Sequence, residues 1–232
     1  MTATAGLDHL VVAAATLDEG VAWCEATLGM SPGPGGAHAL FGTHNRLLRL
    51  LSGEQRQTYL EIIAIDPGAT PTRTAPLRRW FDLDDPALRQ RLTLEGPQLI
   101  HWVARVPDID AACARLRTLD IERGPVIEAS RPTSQGLLRW RITVRDDGQR
   151  VWGGALPTLI QWGDTHPTNA MTATGPALRA LSLQHPQADR LQAALAAIGL
   201  ADVAVSPGPA GLRADFYTAQ GRCVSLIHTE PS

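Results

Sequence analysis

"LDHLVVAAATLDEGVAWCEATLGM" (residues 7–30) and "LIHWVARVPDIDAACARLRTLDI" (residues 99–121) are the two stretches on which the fold turns. The first opens with an apolar run of strand length. Thr16 then stands where a helix N-cap belongs, with Glu19 three residues on as its capping-box partner. Leu17, Val21, Cys24 and Leu28 recur at helical spacing, and Gly29 supplies the stop. One gapless offset of 92 carries His9 onto His101, Leu17 onto Ile109 and Asp18 onto Asp110. Strand, turn and helix therefore occur twice in the same order.

Three strand candidates follow each helix: 36–41, 45–51 and 58–65 after the first, 125–130, 137–145 and 157–163 after the second. The unit is βαβββ, over residues 1–66 and again over 99–165. A third, βαβββ-like unit spans 176–232. There "LRALSLQHPQADRLQAALAAIGL" follows the second unit at an offset of 79, placing Pro186, Asp189 and Leu195 on Pro107, Asp110 and Leu116. "ADVAVS", "GLRADFY" and "RCVSLIH" are its strands. Residues 67–98 form a Pro- and Gly-rich connector in which "APLRRWFDL" and "DPALRQRL" are each predicted as a short helix, the second with Pro86 in its first turn. A connector of this length in a compact protein is expected to cover something.

Composition narrows the chemistry. The chain has 232 residues, 44% of them hydrophobic, and a net charge of −2 without blocks of like charge. No nucleic-acid or membrane partner is implied. All 21 basic residues are arginine, which excludes Schiff-base, pyridoxal-phosphate and P-loop lysine chemistry. Cys24, Cys113 and Cys223 are far apart and odd in number, so no disulfide framework is expected, and a reducing, cytoplasmic setting is favoured. The start of the chain lacks a signal-peptide pattern, and no apolar run is long enough to span a membrane.

Paired βαβββ units with a histidine on each first strand resemble the vicinal-oxygen-chelate superfamily, which includes glyoxalase I, extradiol dioxygenases and resistance proteins. Asp8-His9, the "GGAH…GTHN" stretch, "YLEIIAID" (59–66) and "LIQWGD" (159–164) resemble the bacterial glyoxalase-like domain group in particular. The resemblance implies an α+β fold in which two units form one curved, cup-like mixed sheet with helices outside. It implies a divalent metal (Zn, Fe, Ni, Co or Mn) held from the first and fourth strands by His9, Glu61 and His101, with Gln161 at the second unit's fourth-strand position. The implied ligand is a small oxygen-rich metabolite, and the reaction that of a lyase, isomerase or dioxygenase. Gln161 cannot take a proton at neutral pH, so glyoxalase I activity itself is not expected. The alternative is a metal-free binding or resistance module of the same fold.

Strand alternation gives further expectations. Glu61 lies in an otherwise apolar strand, which leaves two uses for it: ligand or catalyst, or ion-pair partner of an arginine such as Arg46 or Arg49. If His101 and Gln161 face the cup, Trp102 and Trp162 face away, and Trp140 is the pocket aromatic, with Arg139 or Arg141 available to a carboxylate. "FGTHNRL" is read as the turn between the second and third strands, with Asn45 in left-handed geometry. His38, His44 and Asn45 then serve either that turn or the substrate. His228 is expected at the surface. The third unit's apolar face is expected to pack on the cup or on a second copy, giving a homodimer.

Overall fold

The computed structural model describes residues 4–53, 57–133 and 136–230. The first unit comprises β1 (Gly6–Ala13), α1 (Leu17–Leu28), β2 (Gly33–His38), β3 (Thr43–Leu50) and β4 (Thr58–Ile65). The Thr16 side chain accepts from the Glu19 N–H, and Gly29 ends α1 in the left-handed conformation (φ 73°), as the capping pattern predicts. In the connector, α2 (Pro86–Glu95) starts behind an Asp85 cap. The second unit follows as β5 (Gln98–Arg105), α3 (Ile109–Arg117), β6 (Val126–Thr133), β7 (Gly136–Thr143) and β8 (Thr158–Trp162).

These strands form one mixed sheet in the order β2-β3-β4-β1-β5-β8-β7-β6. Within each unit the first and fourth strands run parallel, β1 beside β4 and β5 beside β8. The two units join where β1 and β5 pair antiparallel. The sheet curls until its edge strands β2 and β6 lie close to each other, giving the cup.

The third unit has the expected element order: β9 (Ala177–His185), α4 (Ala188–Ala197), β10 (Ala204–Pro207), β11 (Gly211–Tyr217) and β12 (Cys223–Thr229). Its strand order, β10-β9-β11-β12, is not that of the other two. The strand after the helix pairs parallel with the first strand here, and the last strand lies at an edge. The pattern match therefore extends to elements and not to connectivity. Its apolar face packs within the chain: Leu183, Leu191 and Phe216 join Leu10, Trp102 and the inner faces of α1 and α3 in one core on the outside of the cup. That face is covered without a second copy.

The connector fills the cup. Trp80, Phe81, Leu83, Leu88 and Leu92 are buried against Val11, Ile63, Val103 and Ile142. Only one of its two predicted helices forms. Around Phe81 and Asp82 the chain turns through the left-handed region instead (φ 59° at both). Such backbone costs about 1–3 kcal/mol per residue. Burying each large apolar side chain returns about 1.5–3 kcal/mol, so seating Trp80, Phe81 and Leu83 offsets the strain.

One arginine ties connector, cup and third unit together. Arg150 donates from Nε to Asp82 (2.7 Å) and from Nη2 to Glu230 (2.6 Å). Its Nη1 donates to the Ile100 carbonyl and stands 3.0 Å from His228 Nε2. His228 is thus buried at the junction between units and not at the surface, because β12 packs against β5. A hydrogen bond with His228 holds the Glu230 carboxyl down to about 2; burial opposes this, and the Arg150 charge adds to it. Removing the cation strands Asp82 and Glu230, so Arg150→Met is expected to lower the unfolding free energy by about 3–5 kcal/mol in urea denaturation. Because Glu230 titrates lower in the folded chain than in the unfolded one, its contribution is complete above the ordinary carboxylate range and is lost as pH falls towards 2. Stability measured across that window is expected to fall less steeply in Glu230→Gln than in the native chain.

Candidate functional site

The site grows from a bulge in β1. Leu7 lies opposite Ala104 and His9 opposite Val103, which leaves Asp8 as the extra residue. Both Asp8 and His9 are buried, and His9 Nδ1–H donates to Asp8 Oδ1 at 2.7 Å. Asp8 Oδ2 accepts from Trp162 Nε1 (2.9 Å) and from His166 Nε2 (3.1 Å). His166 is free to donate there because its Nδ1 accepts from the Thr168 N–H. Burial alone would raise the Asp8 pKa. The hydrogen bonds from His166 and His9, with their charge, outweigh it and hold the carboxyl well below the usual carboxylate range. Asp8 is therefore a fixed anion that keeps a proton on His9 Nδ1 and leaves Nε2 facing the cup.

His9 Nε2 stands 3.6 Å from Glu61 Oε2 across the cup floor. Glu61 Oε1 accepts from Asn45 Nδ2 at 2.6 Å. The other Asn45 N–H points to His38 Nε2 (3.3 Å), and Asn45 Oδ1 accepts from the Gly36 N–H (2.8 Å), so every polar atom of this amide is used. His38 Nδ1–H donates to Thr43 Oγ1 (3.0 Å). Burial, then the charge of Arg131, pushes the His38 pKa down to about 3, so the ring is neutral and accepts from Asn45. Burial also raises the Tyr59 phenol well above its ordinary range; Tyr59 stacks on His9 with ring centroids 4.6 Å apart.

The glycines of "GGAH" acquire a reason here. A Cβ on Gly35 would fall 2.1 Å from the Asn45 carbonyl oxygen, and one on Gly36 would fall 1.8 Å from Arg131 Nη1. Without side chains, β2 lies against Asn45 and lets the Arg131 guanidinium reach across from β6. Arg131 pairs with Leu138 and so shares its cup-facing side. With His9, Asn45, Glu61, Trp140 and Trp162 it lines an inner chamber of about 30 Å³. His38, Trp140 and Trp162 also border an outer cavity of about 640 Å³, walled by Phe41, Leu40 and Ala129. The two cavities share these three side chains as a common wall.

Several sequence expectations land elsewhere. The turn is Ala39 to Gly42, with Gly42 at φ 56°, and Asn45 lies within β3 opposite Ile63. Left-handed geometry falls to the glycine, and Asn45 is freed for Glu61. His44 lies one residue from both Thr43 and Asn45, and so on the other side of β3; it borders a separate cavity, with Nε2 unpartnered among the described residues. Arg46 pairs with Ile62 on the side away from Glu61. Trp102 does face the helices. Trp162, expected to do the same, faces the cup opposite Trp140 (ring centroids 5.7 Å). Gln161 instead has its Oε1 accepting from the Ile109 N–H at the start of α3, away from Glu61, while the residue still borders the outer cavity. Arg141 also borders the outer cavity, but its guanidinium is bidentate to Asp110 (2.8 and 3.0 Å). The parity of β8 is one residue off the sequence reading.

The three residues proposed as metal ligands do not converge. His101 Nδ1–H donates to the Gly154 carbonyl (3.2 Å), and its Nε2 accepts from the Thr158 N–H (3.2 Å). Both ring nitrogens are committed, and Phe81 lies against the ring at 5.3 Å. Burial, followed by the charges of Arg150 and Arg123, drives the His101 pKa well below its ordinary value. Among the described residues no group of three His, Cys, Asp or Glu side chains is placed to hold a metal ion. The donor set does not fit the metal that the resemblance implies. Sequence reasoning missed Arg131 and His166; Asp8 carried only family likeness there, although its place beside His9 is its one local signal.

A family model described as a glyoxalase-like domain matches residues 7–199. Among solved structures, a hypothetical protein from Staphylococcus aureus is 14% identical, covers 99% of this chain and 87% of its own, and superposes with a TM-score of 0.58. A variant of Streptomyces coelicolor methylmalonyl-CoA epimerase in complex with 2-nitronate-propionyl-CoA is 18% identical over 71% of this chain and 99% of its own, with a TM-score of 0.43. Methylmalonyl-CoA epimerase from Mycobacterium tuberculosis is 21% identical over 72% and 92%, at 0.39. No curated protein matches the chain. Through the match over residues 7–199 and the paired βαβββ sheet, the chain belongs to the glyoxalase-like domain family of the vicinal-oxygen-chelate superfamily.

Proposed function

We propose that this protein is an isomerase or lyase that moves a proton on a small oxygen-rich molecule bound in the cup, with Glu61 as the base. The observation that carries the reading is the Glu61 carboxylate itself. It is buried, fixed at one oxygen by Asn45, and open at the other towards His9 Nε2 at 3.6 Å. Among the described residues Glu61 has no arginine as hydrogen-bond partner; a buried carboxylate so placed is costly for a fold to keep, and a positioned, partly desolvated carboxylate is an effective proton acceptor.

The neighbouring groups suit the same task. Glu61 Oε2 takes the proton from a carbon beside a carbonyl or carboxylate. Arg131, which borders the same chamber, stabilises the negative charge that develops on the substrate oxygen. His9, backed by the Asp8 anion, carries a proton to or from the second position. An inner chamber of about 30 Å³ admits a small oxygen group only, while Trp140, Trp162 and Phe41 offer flat apolar walls to the rest of the molecule in the outer cavity.

The test is deuterium wash-in, followed by NMR, for a panel of small hydroxy- and oxo-carbonyl compounds incubated with chelator-treated protein in D₂O. Exchange at the carbon beside the carbonyl is expected. Glu61→Gln is expected to slow it by about 10²–10⁴-fold with ligand binding retained, because the amide fills the same space. Equal exchange rates in Glu61→Gln and the native chain, or exchange that appears only on adding metal, would sink the reading. Arg131→Met is expected to weaken binding and turnover together. Asn45→Leu strands the Glu61 oxygen, His38 Nε2 and the Gly36 N–H, and is expected to cost about 1–3 kcal/mol for each buried group left unpaired, read by chemical denaturation.

A further inference from the structure

The second half of the cup carries a cation where the first carries an anion. The offset that takes His9 to His101 takes Val11 to Val103. Val11 lies opposite Glu61 in the sheet, and Val103 lies opposite Thr158. Thr158, and not Gln161, therefore holds the place of Glu61, and the second half has no carboxylate there. Beside it lies Arg123, from the segment between α3 and β6, only 4% exposed. Its Nη2 donates weakly to Thr158 Oγ1 at 3.4 Å. Its Nε and Nη1 have no hydrogen-bond partner among the described residues.

No ion pair of Arg123 exists among the described residues, whereas the neighbouring arginines are paired: Arg145 with Asp147 (2.6 Å), and Arg150 with Asp82 and Glu230. Burial pushes the Arg123 guanidinium down to about 10, which leaves it charged at neutral pH. A buried cation without a counter-charge costs several kcal/mol. The space beside it is small and mostly polar. Arg123, Thr143, Thr158, Gln149 and Gly148 line a chamber of about 10 Å³, which admits the centre of about one water-sized body.

We propose that this chamber is a binding site for a small monovalent anion of halide size, held by Arg123 Nε and Nη1 and supplying the charge that Glu61 provides in the other half of the cup. The ion is structural in effect: it neutralises Arg123 behind His101 and Phe81 and so steadies the connector plug that forms one wall of the inner chamber.

The test uses the full chain prepared in gluconate, with chloride titrated in at constant ionic strength and Tm as the readout. A rise that grows with the logarithm of chloride concentration, to about 3–10 °C at 10- to 100-fold above its Kd, is expected. Arg123→Met removes both charge and donors and is expected to abolish the rise. Crystals grown in bromide are expected to show an anomalous peak within hydrogen-bonding distance of Arg123 Nε or Nη1, a readout that does not depend on the variant folding. A Tm equal in gluconate and chloride throughout the titration, a rise that persists undiminished in Arg123→Met, or bromide crystals without a peak at Arg123 would each overturn the proposal.

Discussion

The antiparallel seam between β1 and β5 is the constraint on which the molecule depends. Both strands are buried on both faces, so each must be apolar almost throughout, and any polar side chain on them needs a partner within the fold. The seam aligns the two units about a local twofold, sets His9 and His101 on the same side of the sheet, and takes up one extra residue on β1. That residue is Asp8. Without the bulge, Asp8 and His9 would point to opposite faces, and no anion would stand behind the imidazole.

The two halves share a backbone plan and differ in charge. In the first, His9 stands beside Glu61, and a neutral His38 and an amide fix the carboxylate. In the second, the matching histidine is locked between a backbone carbonyl and Thr158, under Phe81, with a buried arginine close by. The connector enforces the difference. By packing Trp80 and Phe81 into the cup, with Phe81 against His101, it makes the two ends of a symmetric fold unlike.

The third unit takes a different part. It closes the apolar outer face of the cup and sends Glu230 and His228 to Arg150, which also grips Asp82 at the strained turn of the connector. Outer layer, cup and plug thus meet at one guanidinium. The burial of Arg150 makes this junction costly when broken, because two part-buried carboxylates depend on the same cation.

The sequence by itself determined the repeat, the helix caps, the order of elements and the placing of His9 and Glu61 on the first and fourth strands of one unit, because periodicity, capping and offset are local properties of the chain. It could not determine which face each residue of β8 presents. Side chains alternate with a period of two, so an error of one residue sends Gln161 out and Trp162 in, and only hydrogen-bonded pairing with β7 fixes the parity. Nor could it match Thr158 to Glu61, since an insertion before β8 shifts the count while the sheet register does not. Arg131, His166 and the connector plug reach the site from about 120, 160 and 70 residues after Asp8, with no local pattern to announce them. Which polar groups meet in the cup was decided by tertiary structure, because a buried charge chooses its partner by distance in space and not along the chain.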